Sequence, residues 1–269
     1  MQTGYYVHGY APAEGERLHD QAATLAQLLH HDTLFRPPGL VLEAGCGTGE
    51  QTVIVAPQNP ECSFVSIDIS GDSLAAAERS ARRHGLSNVR FQRADVFHLP
   101  FTPDSFDHVF VCFLLEHLAD PTAALYSLKR VLKPAGTMTV IEGDHGSAYY
   151  YPRSSAAQAT IQCLVDVQAS LGGNALIGRE LYPLLTSVGF RDCRVTPRVV
   201  YADGSRPEMA EGFTKRTFTA MVEGIRDQAL SRGLIGEAEW DTGIADLYRT
   251  AEPDGTFSYT FFKAVARKP

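Results

Sequence analysis

From Leu40 onward, short apolar runs alternate with amphipathic stretches. The runs are Leu40–Leu42, Phe64–Ile69, Val89–Gln92, His108–Phe113 and Thr137–Glu142. Each has the length of a strand, and helix-periodic sequence lies between them. That alternation predicts an α/β fold, a parallel sheet with helices on both faces. Pro134-Ala135-Gly136 forms a helix stop just before the fifth run. Upstream, Leu18, Ala22, Leu25, Leu28 and Leu29 recur at helical spacing and predict a helix over about His19–His30. Downstream, helices are predicted at Ser155–Leu171 and Arg179–Ser187, and strands at Cys193–Tyr201 and Phe257–Ala266. Between those last strands, Pro207–Thr250 reads as short helices cut at Gly224, Gly233 and Gly236. One domain results. Residues 1–38 form an arm and helix, 39–142 the ligand-binding core, and 143–192 and 202–256 two helical insertions that roof the active site.

Composition narrows the classes. A chain of 269 residues with 44% hydrophobic content can bury one large core. The net charge is −7 and no basic stripe stands out, so nucleic acid is not the expected partner. No apolar run reaches membrane-span length, and Met1–Tyr10 lacks the apolar centre of a signal peptide. The five cysteines are widely spaced without a C-x-x-C pair, which reads as reduced thiols in the cytoplasm. Phe213, Phe218 and Trp240 read as packing within the insertions, and His30-His31 as a dipole contact at a helix end.

The most specific chemistry lies at Glu43-Ala44-Gly45-Cys46-Gly47-Thr48-Gly49. Three alternate glycines follow a strand and precede a helix, so backbone can approach a ligand closely. The spacing differs from G-x-G-x-x-G, which argues against a nicotinamide dehydrogenase. Asp68 ends the second strand about 20 residues later, where an acid holds ribose hydroxyls. Glu43, Gly45, Gly47, Gly49, Asp68 and the block order through Asp107 resemble class I S-adenosylmethionine (SAM) methyltransferases. The resemblance implies a Rossmann-like sheet and SAM as cofactor. It also implies Asp95 on the adenine amino group, with Ile69, Val96 and Cys112 completing the cofactor site. Cys46 is expected to be a small turn residue, and Glu116-His117 to be structural or to face the cofactor weakly.

A methyl acceptor would sit outside the carboxyl ends of the strands. There the sequence reads Glu142-Gly143-Asp144-His145-Gly146, an ionisable cluster in one short turn. His145 is the natural general base. Arg179 is placed to pair with a substrate carboxylate. Carboxylate with imidazole also suits zinc or non-haem iron. Tyr6-Val7-His8-Gly9-Tyr10, Glu142–Gly146 and Thr256–Lys263 resemble microbial α-keto acid C-methyltransferases of non-proteinogenic amino acid biosynthesis. That resemblance implies methylation at the β-carbon through a metal-stabilised enolate. It nominates Glu142, Asp144, His145 and His8 as ligands, His8 also as a base, and Tyr6 and Tyr259 beside Arg179 at the substrate. The alternatives are a metal-free O- or N-methyltransferase of a phenol, amine or quinone-type metabolite, and a SAM-binding protein without catalysis. The partner is a small molecule in the first two. Oligomeric state stays open, a homodimer included.

Overall fold

The structure is a computed structural model that describes residues 12–269. Tyr6 and His8 lie outside the described residues. After α1 (Pro12–His30) come β1 (Gly39–Ala44), α2 (Thr52–Gln58), β2 (Cys62–Asp68), α3 (Gly71–Arg83), β3 (Val89–Arg93) and β4 (Phe106–Cys112). A 3₁₀ turn at Leu115–His117, α4 (Pro121–Val131), β5 (Leu132–Tyr151) and α5 (Ser155–Ser170) follow. A second 3₁₀ turn, Ile177–Glu180, leads into α6 (Leu181–Ser187) and β6 (Arg191–Asp203). Then come α7 (Pro207–Met209), a π-helix (Ala210–Thr219), α8 (Ala220–Glu223), α9 (Arg226–Ser231), α10 (Glu237–Arg249) and β7 (Thr256–Arg267).

The strands form one sheet of order β3-β2-β1-β4-β5-β7-β6. β1 to β5 are parallel, and β7 runs antiparallel to both β5 and β6. Strand order therefore reverses beside β1, the place where open α/β sheets seat ligands. Three helices start where a side chain takes up a free backbone N–H group. Ser70, Asp120 and Ser154 cap α3, α4 and α5 through the amides of Ser73, Ala123 and Ala157. The Ser154 hydroxyl also donates to Asp246 at 2.6 Å, joining α5 to α10.

The predicted elements form, with one consequential difference. The fifth strand does not end in a turn after Glu142; β5 continues to Tyr151. β7 pairs with it from Thr137 to Asp144 and again from Tyr149 to Tyr151. Residues 145–148 bulge out opposite Tyr259 between those two ladders. The Ser147 hydroxyl closes the bulge, donating to the Asp144 carbonyl at 2.7 Å and accepting from Thr260 N–H at 2.9 Å. A bulge re-aims side chains at a strand end, and His145 is the first residue in it.

Two apolar layers cover the sheet. On one face α1, α5, the π-helix and α10 gather over Phe110, Ile141, Phe257, Tyr259 and Phe261. On the other, α4 and α6 cover Val109, Val111, Met138 and Val140. α1 is docked through polar contacts as well. Lys263, only 3% exposed, donates to Asp32 and to the Thr33 hydroxyl, both at 2.7 Å. Burial opposes the Asp32 charge, but Lys263 and Arg198 hold its carboxyl down to about 2.

His30 is not the cationic end-of-helix contact expected from sequence. It is fully buried, its Nε2 donates to Gln51 Oε1 at 2.7 Å, and its Nδ1 lies 3.2 Å from the Thr33 hydroxyl. Burial pushes its pKa from 6.5 to about 4, so it is neutral. A depressed folded-state pKa gives stability that is present above pH 6.5 and lost as pH falls through about 4. On cooling the pH from 7 to 4, the native chain should therefore lose about 3 kcal/mol of unfolding free energy that a His30→Gln variant does not lose. Parallel urea titrations at both pH values measure this; equal losses in both proteins would show that His30 does not titrate against folding.

Candidate functional site

The glycine loop crosses from β1 to α2, and its three glycines serve different ends. The Gly45 and Cys46 amides donate to the Ile67 carbonyl at 2.8 and 3.0 Å, which fastens the loop to β2. A Cβ on Gly45 would come within 2.8 Å of Leu114, and one on Gly49 within 3.0 Å of Ala77. Those two are glycines because protein packs against them. Gly47 has φ +51° and no heavy atom within 4 Å of an added Cβ. It faces open space in a conformation that favours glycine, as a close ligand contact requires.

Asp68 stands directly beside it. Oδ2 accepts the Gly47 amide and Oδ1 the Ser70 amide, both at 2.9 Å. Each oxygen keeps a lone pair for a ligand hydroxyl. Ala94 N–H donates to the Asp68 carbonyl at 3.1 Å, which brings the β3 exit, and with it Asp95, beside the β2 exit. Asp95 Oδ1 accepts the Phe97 amide at 2.9 Å and Oδ2 meets His98 Nδ1 at 3.1 Å. Ile69 is 54% exposed just past Asp68, an apolar surface next to polar anchors. Val96 packs partly under this region.

Two expected cofactor residues face the protein instead. Glu43 Oε2 accepts from the Thr52 hydroxyl at 2.7 Å and the Ser66 hydroxyl at 2.5 Å. Burial raises its pKa, and its work is to tie β1 to α2 and β2. Cys112 lies in the apolar layer with Phe110 and Ile141. Burial also pushes the Cys46 thiol up, so it stays protonated in its turn.

The second group of polar side chains lies at the β4 and β5 ends under the roof helices. His145 is 5% exposed. Its Nδ1 is 2.8 Å from the Tyr259 hydroxyl, and its backbone N–H donates to Ala175 at 2.9 Å. Its Nε2 is buried, has no hydrogen-bond partner among the described residues, and faces Glu116 Oε2 at 3.6 Å. Burial lowers the His145 pKa, with Glu116 pulling the other way, so the ring is neutral near pH 7. Phe218 and Tyr259 stand against the ring at 6.4 and 5.9 Å between centroids.

The neighbouring carboxylates do not join His145 as a ligand set. Glu142 Oε1 accepts the Leu114 and Leu115 amides at 3.1 and 2.8 Å. Burial and then the Glu116 charge lift its pKa well above the carboxylate range. Asp144 is held by Arg179 through Nε and Nη2, both at 2.7 Å. Among the described residues no group of three or more His, Cys, Asp or Glu side chains is arranged to hold a metal ion. The zinc or iron site expected from Glu142, Asp144 and His145 thus does not fit these residues. Arg179, expected on a substrate carboxylate, has spent its two-pronged geometry on Asp144. Tyr259, expected at the substrate, is 1% exposed and bonds His145. Glu116 is the residue the sequence reading undervalued; its signal was an acid just past the carboxyl end of β4.

Comparison with known proteins agrees with this layout. Residues 39–189 match a family model described as a methyltransferase domain. An uncharacterized methyltransferase of Schizosaccharomyces pombe is 33% identical over 147 residues, covering 52% of this chain and 52% of that protein. The 27-O-demethylrifamycin SV methyltransferase of Amycolatopsis mediterranei is 25% identical over 269 residues, covering 97% of this chain and 89% of that protein. A solved Haemonchus contortus phosphoethanolamine N-methyltransferase in complex with S-adenosyl-L-methionine shares the fold at TM-score 0.56 and 17% identity, over 93% of this chain and 52% of that one. The chain spans about half the length of the first curated relatives it matches, 52% and 54% for two of them. Among the described residues no helix is long and apolar enough to cross a membrane.

Asp68→Ala removes the partner of the Gly47 amide and, with it, the carboxylate expected to take the ribose hydroxyls. It should weaken SAM binding on the order of 100-fold while the protein stays folded. Calorimetric titration beside a thermal melt reads both; unchanged affinity would remove Asp68 from the cofactor site.

Proposed function

Given that the chain belongs to the methyltransferase-domain family, we propose that it methylates a hydroxyl of a small, largely apolar molecule, using SAM and His145 as general base. The observation that carries this reading is the buried Nε2 of His145, which has no hydrogen-bond partner among the described residues while Tyr259 engages Nδ1. A buried polar atom without a partner is costly and calls for an explanation. An acceptor hydroxyl donating to Nε2 supplies one. The reading requires the tautomer in which Nδ1–H donates to the Tyr259 oxygen, so that the Nε2 lone pair is free.

Gly47, Asp68, Ile69 and Asp95 fit a nucleoside: a close backbone approach, an acid for the ribose, an apolar surface and a second acid for the base. When bound, SAM would supply an electrophilic methyl carbon on a positively charged sulfur, which would keep the electron pair of the carbon–sulfur bond as the leaving group. The chain orients the acceptor, excludes water and takes the proton. Aromatic rings from the roof and β7, Phe213, Phe218 and Phe261 among them, surround Tyr259 and suit an apolar scaffold. Because His145 is 5% exposed, the acceptor enters only when the roof helices part.

C-methylation of an α-keto acid is less well supported. Its metal would need Asp144 and Glu142, and its substrate carboxylate would need Arg179. Asp144 and Arg179 are engaged with each other, and Glu142 gives one oxygen to two backbone amides. One relative is named as a methyltransferase of 27-O-demethylrifamycin SV, a compound whose name marks a methyl missing from an oxygen, and this supports the hydroxyl reading.

S-adenosylhomocysteine formation should be measured over a panel of phenols, apolar alcohols and α-keto acids, with and without a chelator. A hydroxyl acceptor should turn over in both conditions. His145→Ala should slow that turnover by roughly 10²–10⁴-fold with SAM affinity intact. Turnover confined to keto acids, lost to the chelator and restored by zinc or iron, would replace this reading with the metal-enolate one.

A further inference from the structure

We propose that Glu116 is a positioning residue for His145: its carboxylate stays charged beside Nε2 and stabilises the imidazolium that forms when the acceptor gives up its proton. This rests on the reading of His145 as the base.

The geometry fixes Glu116 from several sides. It sits in the 3₁₀ turn just past β4 and is 7% exposed. Its backbone carbonyl accepts from Gln168 Nε2 at 3.0 Å and from the Asn174 amide at 2.8 Å. The same Gln168 Nε2 reaches the carboxylate Oε2 at 3.3 Å. One amide on α5 thus clamps both backbone and side chain. Gly173 completes the clamp, since a Cβ there would come within 2.5 Å of the Glu116 carbonyl. Held this way, Oε2 stands 3.6 Å from His145 Nε2 and Oε1 stands 3.7 Å from His117 Nε2.

At 3.6 Å the carboxylate and the ring are beyond ordinary hydrogen-bond length. The acceptor hydroxyl would donate to Nε2 at about 2.8 Å, with Oε2 remaining beside the ring, close enough to pair with its charge. Its proton bonds to Nε2, its bonding pair stays on the acceptor oxygen, and Glu116 takes no proton. The charged ring then lies between the Tyr259 oxygen and the Glu116 carboxylate. In a buried site such a pairing is worth far more than in water.

Other charges decide which carboxyl is ionised. Glu116 faces His117 and His145, and Arg17 from α1 also acts on it. Burial works against its charge, but those groups outweigh it and its pKa falls. Glu142, beside it, goes the opposite way: burial and the Glu116 charge raise its pKa. Two buried acids pushed apart like this are a familiar way to set distinct roles. Arg17 and His117 oppose protonation of His145, and Asp144 favours it less than Glu116 does.

Glu116→Gln keeps the shape and can still accept from Gln168, but it loses the charge. With the hydroxyl acceptor that the native enzyme turns over, kcat should fall roughly 10- to 100-fold. KM and SAM affinity should stay within about twofold, and the solvent deuterium isotope effect on kcat should rise as proton removal becomes limiting. Glu116→Asp, which keeps the charge, should recover part of the rate and serves if the Gln variant does not fold. In a His145→Ala background, Glu116→Gln should cost nothing further. A full rate in Glu116→Gln, or an equal loss with and without His145, would overturn the role of Glu116. A full rate in His145→Ala alone would instead overturn the base assignment on which it stands.

Discussion

The antiparallel pairing of β5 with β7 runs from Thr137 opposite Arg267 to Asp144 opposite Thr260, then resumes at Tyr149 opposite Ser258. Both ladders must form for the residues between them to bulge. The bulge puts His145 where Tyr259, 114 positions later, can bond it. Gly143 is part of the same constraint. It lies opposite Phe261, and the Tyr259 hydroxyl fills the space a Cβ would take. A side chain there would drive the tyrosine off its place beside the imidazole. The candidate base is thus set by sheet register, a rigid scaffold, more than by a loop.

Burying this many ionisable groups demands that each be neutralised in some way. The structure uses a different solution for each acid. Asp144 meets a two-pronged arginine. Glu142 accepts two backbone amides and holds its proton. Glu43 accepts two hydroxyls in the body of the sheet. Among the described buried glutamates, Glu116 faces two imidazoles and has a lowered pKa, whereas those of Glu43 and Glu142 are raised. A cluster in which three acids are quieted and one faces a neutral histidine suits the proposed proton transfer. A metal site would need the reverse, several donors converging with lone pairs to spare.

What could be read from sequence was what depends on near neighbours. The glycine loop, Asp68 and the five parallel strands follow from periodicity and turn chemistry over a few residues. Their structural positions match that reading closely. Glu142-Gly143-Asp144-His145-Gly146 was found as an ionisable group at the sheet edge, but it was read as a turn. Nothing local shows that β7, more than a hundred residues away, will extend the strand through it. The same blindness placed Arg179 on a substrate, because its partner Asp144 comes from another element. Glu43 has the motif's acid in the motif's place, yet its hydroxyl partners Thr52 and Ser66 are visible only after folding. His30 was judged by its position at a helix end, whereas burial against Phe110 and Gln51 decides its charge.

α1 joins the two halves of the site. At its end, His30 bonds Gln51, the residue preceding α2 and two past Gly49 in the cofactor loop. Along its length, Thr24 meets Gly212 of the π-helix so closely that a Cβ on Gly212 would collide with it. That π-helix carries Phe213 and Phe218, whose rings close over Tyr259. A shift of α1 therefore cannot be confined to one half. Movement that lifts the aromatic roof off His145 also pulls at the contact behind the glycine loop. Because packed interiors move between discrete arrangements rather than deforming smoothly, the loop at β1 and His145 on β5 are mechanically linked through a helix that contributes to both.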